Sequence, residues 1–66
     1  MKVKINGQQE VVNNAVNLHE LILSKGLCPE RIVVEHNFSI LSKEKWPEII
    51  LEENDNVEII SFLGGG

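Results

Sequence analysis

The chain has 66 residues, a single cysteine and a formal net charge of −4, and 42% of its residues are hydrophobic. So short a chain is one domain, buries only roughly 60% of the surface its unfolded form exposes, and has no room for the large cleft of an enzyme. Its acidity argues against nucleic acid as a partner, which needs a basic footprint, and its apolar content is too high for a disordered chain. The apolar runs are too short to span a membrane. Met1 leads straight into an alternating pattern with no apolar leader segment. A small secreted domain is normally stapled by paired cysteines, so the lone Cys28 points to a reducing cytoplasm.

Lys2 to Ile5 alternates polar and apolar, which predicts a half-buried strand with Val3 and Ile5 facing the core. Asn6-Gly7 predicts a tight hairpin, because both residues accept positive φ. The return strand runs from Gln8 to Val12, antiparallel to the first. Asn17 is a good N-cap with Glu20 three residues on, a capping-box pair, and Val16 and Leu21 are spaced as a hydrophobic staple. The predicted helix spans Leu18 to Lys25, with Leu18, Leu21, Ile22 and Ala15 on its apolar face. Gly26 ends it as a left-handed cap, and Pro29 keeps it from resuming.

Arg31 to His36 is the next strand, Asn37-Phe38 a turn, and Ser39 to Leu41 a short return strand. Lys43 to Trp46 reads as one helical turn or an irregular loop closed by Pro47. Ile49, Ile50 and Leu51 bring the chain back to the core. Glu52 to Asn56 is a polar turn in which Asn54 takes the left-handed conformation, and Val57 to Leu63 is the last strand. One helix with about five short strands is an α+β domain, a mixed sheet with the helix on one face. With the first and last strands central and parallel, this is a ubiquitin-like β-grasp roll over residues 1–63, followed by a flexible glycine tail at 64–66.

The last strand breaks the alternation expected of a sheet covered on one face. Val57 and Ile59 face the helix, so Glu58, Ile60 and Phe62 face outward, with Leu63 joining them. Either Trp46 or the segment Ile49 to Leu51 wraps over this patch, or it is a docking surface beside the tail. Gly64, Gly65 and Gly66 lack Cβ atoms, so their backbone can thread a narrow channel. A terminal carboxylate is unreactive until adenylated by ATP, after which a sulfur or amine nucleophile can attack its carbonyl.

Several residues have plainer expectations. Cys28 is expected to be a small buried hydrophobe, and His36 a partly buried histidine with its hydrogen bonds met. His19 is expected to be solvated, Trp46 to anchor the core or its rim, Lys43 to be an ordinary surface lysine, and Glu52 and Glu53 to form a solvated acidic loop. No metal-ligand spacing is present, and one cysteine excludes an iron–sulfur cluster.

Over its whole length the chain resembles the bacterial sulfur carrier proteins of thiamine biosynthesis. The resemblance lies in Lys4-Ile5-Asn6-Gly7, Asn17-Leu18-His19-Glu20-Leu21, Val34 to Asn37, Ser42-Lys43-Glu44-Lys45-Trp46, and above all Asp55 through Phe62-Leu63-Gly64-Gly65-Gly66. The chain departs from the family at turn positions. The family often has Asn-Gly where Asn37-Phe38 stands, Pro where Ser42 stands, and Asp-Gly-Asp where Glu53-Asn54-Asp55 stands.

The resemblance implies a protein co-substrate, not an enzyme, that binds no cofactor itself. A ubiquitin-activating-type adenylyltransferase using ATP would adenylate Gly66. A cysteine desulfurase persulfide, or another sulfur donor, would turn it into a thiocarboxylate, which thiazole synthase would accept. Gly64 and Gly65 would be the threading tail, and Ile60, Phe62 and Leu63 the docking patch. Rival readings are a carrier of another pathway (the small subunit of molybdopterin synthase, or a carrier for cysteine or siderophore sulfur), a ubiquitin-like modifier conjugated to lysines, and a plain interaction module.

Overall fold

The computed structural model describes residues 1–62 of the chain. Strands β1 (Lys2–Ile5) and β2 (Gln8–Val11) pair antiparallel, with Lys2 opposite Val11 and Ile5 opposite Gln8. The turn between them has φ 52° at Asn6 and 82° at Gly7. Two positive values are what a primed hairpin turn needs to match the strand twist. The second strand stops at Val11, one residue short of expectation, although the Val12 amide still donates to the Met1 carbonyl at 2.9 Å.

Helix α1 (Leu18–Ser24) begins with the expected capping box. The Glu20 amide donates to Asn17 Oδ1 at 2.8 Å, and the Asn17 amide to Glu20 Oε1 at 3.1 Å, so two otherwise orphaned donors are satisfied. Lys25 is the C-cap and not the last helical residue. Gly26 (φ 71°) follows it, donating to the Leu23 carbonyl at 3.0 Å. Leu18, Leu21 and Ile22 are buried as expected. Ala15 is not on the helical face; it lies before the cap at φ 65°, exposed.

Pro29 opens a short 3-10 turn, Pro29–Arg31. Proline cannot continue an α-helix, but its fixed φ suits the first position of a new turn. Strands β3 (Ile32–His36) and β4 (Ser39–Leu41) are joined by Asn37 and Phe38, at φ 49° and 72°. A second 3-10 segment, Lys43–Glu48, runs past Pro47 where an end was expected. Only Leu51 of the Ile49 to Leu51 segment is fully buried. Leu18 donates to the Ile49 carbonyl and Leu51 to the Val16 carbonyl, both at 2.9 Å. These bonds fix an extended backbone whose alternation turns Ile50 outward.

After Asn54 (φ 70°) comes β5 (Asn56–Ser61). The sheet order is β2-β1-β5-β3-β4. β5 is central, parallel to β1 and antiparallel to β3. The buried cluster joins Val3 and Ile5, the helix residues, Ile32 and Val34, Trp46, Leu51 and Val57. The expected mixed sheet with one main helix is therefore present. Among the described residues no helix is long and apolar enough to cross a membrane. The boundary expected between residues 63 and 64 lies outside the described residues.

Candidate functional site

β5 is the strand that leads to the tail. Its alternation puts Val57 in the core and Ile59 against it, while Ile60 and Phe62 stand on the other face, 49% and 47% exposed. Neither Trp46 nor Leu51 covers them, because both side chains are committed to the core. Register then fixes the neighbours. Val33 of β3 lies opposite Ile60. Ile40 on the edge strand β4 lies opposite Glu35, diagonal to Val33 on the same face, and is 70% exposed. The Phe62 amide donates to the Arg31 carbonyl at 3.1 Å, so the sheet still holds the chain one residue past β5. Leu63, Gly64, Gly65 and Gly66, expected as patch edge, tail and covalent site, lie outside the described residues.

Val33 and Ile40 were absent from the expected patch. Val33 sits in an unbroken apolar run, Ile32-Val33-Val34, whose inward and outward members only the pairing register separates. Alternation from the buried Ile32 and Val34 is the signal that assigns Val33 outward.

At the other end of β5 is a polar cluster. His36 Nε2 meets Asp55 Oδ2 at 2.8 Å, Asn37 donates to Asp55 Oδ1 at 3.2 Å, and the Glu52 amide donates to Asp55 Oδ2 at 2.9 Å. Asp55 is only 8% exposed. Burial alone would raise its carboxyl pKa, but the hydrogen bonds from His36, the Glu52 amide and Asn37 hold it below its ordinary value. His36 is thus the half-buried, satisfied histidine expected, while Asp55 had no signal beyond its place in a polar turn.

Cys28 differs from expectation. It is exposed, because it caps the Pro29–Arg31 turn and receives the Arg31 amide on its carbonyl at 2.9 Å. His19 is half-buried where solvation was expected. Trp46 anchors the core as expected, and among the described residues its buried Nε1 has no hydrogen-bond partner. Lys43 pairs with Glu30. Among the described residues no group of histidine, cysteine or carboxylate side chains could hold a metal ion.

Comparison with known proteins bears on this arrangement. Residues 2–66 match the model of the ThiS family. The chain is 37% identical over 49 residues to the sulfur carrier protein ThiS of Bacillus subtilis, covering 74% of each chain. It is also 32% identical, over its full 66 residues, to a thiazole synthase of Magnetococcus marinus, but spans only 20% of that protein's length. The crystal structure of the thiamine biosynthesis protein ThiS from Geobacter metallireducens superimposes with a TM-score of 0.84 at 30% identity, each chain fully covered. With its mixed five-stranded sheet, single main helix and outward apolar residues on the strand before the glycines, the chain belongs to the ThiS family, on the ubiquitin-like β-grasp fold.

Proposed function

We propose that this chain is a sulfur carrier in thiamine biosynthesis, a protein co-substrate whose Gly66 carboxyl is the reacting group. The observation that carries the reading is an exposed pair, Ile60 on the central strand and Phe62 just past its end, a few residues ahead of Gly64-Gly65-Gly66 in the sequence. An apolar patch at the base of a slim terminus lets a partner bind the domain and draw the tail into its active site. Catalysis belongs to the partners.

In the first step the Gly66 carboxylate attacks the α-phosphorus of ATP on an adenylating enzyme of the ubiquitin-activating type. Pyrophosphate leaves and an acyl-adenylate remains. The terminal sulfur of a cysteine desulfurase persulfide then attacks the carbonyl carbon, AMP leaves, and an acyl disulfide forms. A second thiol cleaves its S–S bond, leaving the thiocarboxylate. Thiazole synthase accepts that sulfur; similarity over the whole chain to part of a thiazole synthase supports this partner.

The test is intact mass after incubation with the adenylating enzyme, ATP, the desulfurase, cysteine and a thiol reductant. Replacement of oxygen by sulfur adds about 16 mass units. Deletion of Gly66 abolishes the gain. A full-length chain that never gains this mass refutes the carrier reading.

A further inference from the structure

Phe38 is the residue that the fold and the carrier chemistry leave unexplained. It is 80% exposed, so its ring contributes almost nothing to the core. Its φ of 72° lies in the left-handed region, where a bulky side chain is an outlier and glycine sits freely. Strain of this kind persists where something other than stability retains it. The turn is at the end of β5 away from Phe62, since His36 lies opposite Val57 and β5 runs from there toward Phe62.

Phe38 walls a groove whose other side is formed by Lys2 and Lys4 of β1, with Asn56 of β5 between them and Gln9 of β2 beyond the lysines. Lys2 and Lys4 are two residues apart on one strand, so both project to the outer face. Among the described residues neither ammonium pairs with a carboxylate, whereas Lys25 and Lys43 are engaged by Glu10 and Glu30. Glu53 accepts the backbone amide of Lys2 at 3.0 Å but makes no ion pair with the Lys2 side chain. On a chain of net charge −4, two unneutralised cations beside an exposed aromatic ring are a selective feature.

We infer that the Phe38–Lys2–Lys4 groove is a second docking site that receives an acidic segment of thiazole synthase, with carboxylates against the two lysines and an apolar side chain against the ring. The choice of partner rests on the proposed function. The acidic character rests on charge: most of this chain's surface repels such a segment, and this groove attracts it. Held at both ends of the outer face, the domain has one orientation on its partner, with the tail directed one way.

The experiment measures binding of the full chain to thiazole synthase from the same organism at about 50 and about 300 mM salt, concentrations that bracket strong and weak screening. The variants are Phe38→Gly and the double variant Lys2→Gln/Lys4→Gln. Each should weaken binding about fivefold at the lower salt, the size expected for a secondary anchor. The double variant should also flatten the salt dependence. Phe38→Gly should melt at or above the wild-type temperature, because glycine relieves the left-handed strain, and a residue needed only for folding would not behave so.

Wild-type-like binding by both variants overturns the assignment. So does a Phe38→Gly chain that loses binding and thermal stability together, or binding that is lost only toward the adenylating enzyme. A wild-type chain that shows no salt-sensitive binding to thiazole synthase overturns it as well. Failure of the carrier reading is seen separately, as absence of the sulfur mass gain.

Discussion

Replacing Asp55 by asparagine removes one charge and almost no volume, so it isolates what the carboxylate does. Three donors converge on it: His36 Nε2, Asn37 Nδ2 and the Glu52 amide, at 2.8, 3.2 and 2.9 Å. A hydrogen bond to a charged group contributes about 1.5–3 kcal/mol, and a buried donor left unmatched costs about 1–3 kcal/mol. Asparagine keeps one acceptor oxygen but turns an NH₂ toward a donor. Bonds that share an acceptor group do not add, so the expected loss for Asp55→Asn is about 2 kcal/mol. A domain of this size has only about 3–10 kcal/mol in total. The loss should lower the melting temperature by about 8–16 °C.

The pH dependence follows from the lowered Asp55 pKa. The unfolded chain takes up the proton near pH 3.9 and the folded chain only at lower pH, so stability rises with pH across that interval. The contribution is complete above the unfolded value and disappears as pH falls through the folded one. Urea denaturation of both proteins from pH 7 down to pH 2 is the assay. The gap between them should be full at pH 7 and shrink steadily below about pH 4. A gap that stays constant down to pH 2, or one below about 0.5 kcal/mol at pH 7, would falsify the account of Asp55 as an ionised, hydrogen-bonded anchor.

The other expectations concern the patch, the helix and the core. Ile60→Asp and Phe62→Asp should each abolish sulfur loading, read by intact mass, while changing stability by no more than about 0.5 kcal/mol, because both side chains are half in solvent. Asn17→Ala removes the acceptor for the Glu20 amide and should cost about 1 kcal/mol by thermal denaturation. Trp46→Phe should cost only about 1–2 kcal/mol, a volume effect, since the indole N–H makes no hydrogen bond among the described residues. Trp46→Ala, which empties the whole site, should cost about 3–5 kcal/mol.

Features set by local chemistry were legible in the residues. Asn6-Gly7 has few conformations open to it, and the turn is as expected. The Asn17 and Glu20 pair needs only its own spacing to form the capping box. The alternation of β5 assigned Val57 inward and Ile60 outward without reference to any other strand. What was misread depends on partners distant in sequence. Ile50 carries the same hydrophobic side chain as Ile49, and only the backbone pairing of its neighbours with Val16 and Leu18 turns it to solvent. Cys28 looked like core because small thiols usually are, but its position as the cap of a 3-10 turn exposes it. Asp55 was read as part of a turn, because His36 and Asn37 approach it only once β3 and β5 have paired.

That cluster and the exposed apolar patch are linked through register. A slip of one residue in β5 would send Ile60 and Phe62 into the core and Val57 and Ile59 out, destroying core and patch together. Hydrophobic pattern alone holds this segment weakly against such a slip, since four of the six residues from Val57 to Phe62 are apolar and both faces carry apolar side chains. The polar groups supply the discrimination. Asn37 Oδ1 receives the Asn56 amide at 2.8 Å, and Asn6 Oδ1 receives the Ile59 amide at 2.7 Å. Asp55, the residue just before the strand, is fixed by three further donors. Asn6 and Asn37 are also the two asparagines that tolerate positive φ in the hairpin turns on either side of β5. The same side chains therefore close the hairpins and index the central strand. It is this indexing, more than the burial of Val57, that decides which face Ile60 and Phe62 occupy.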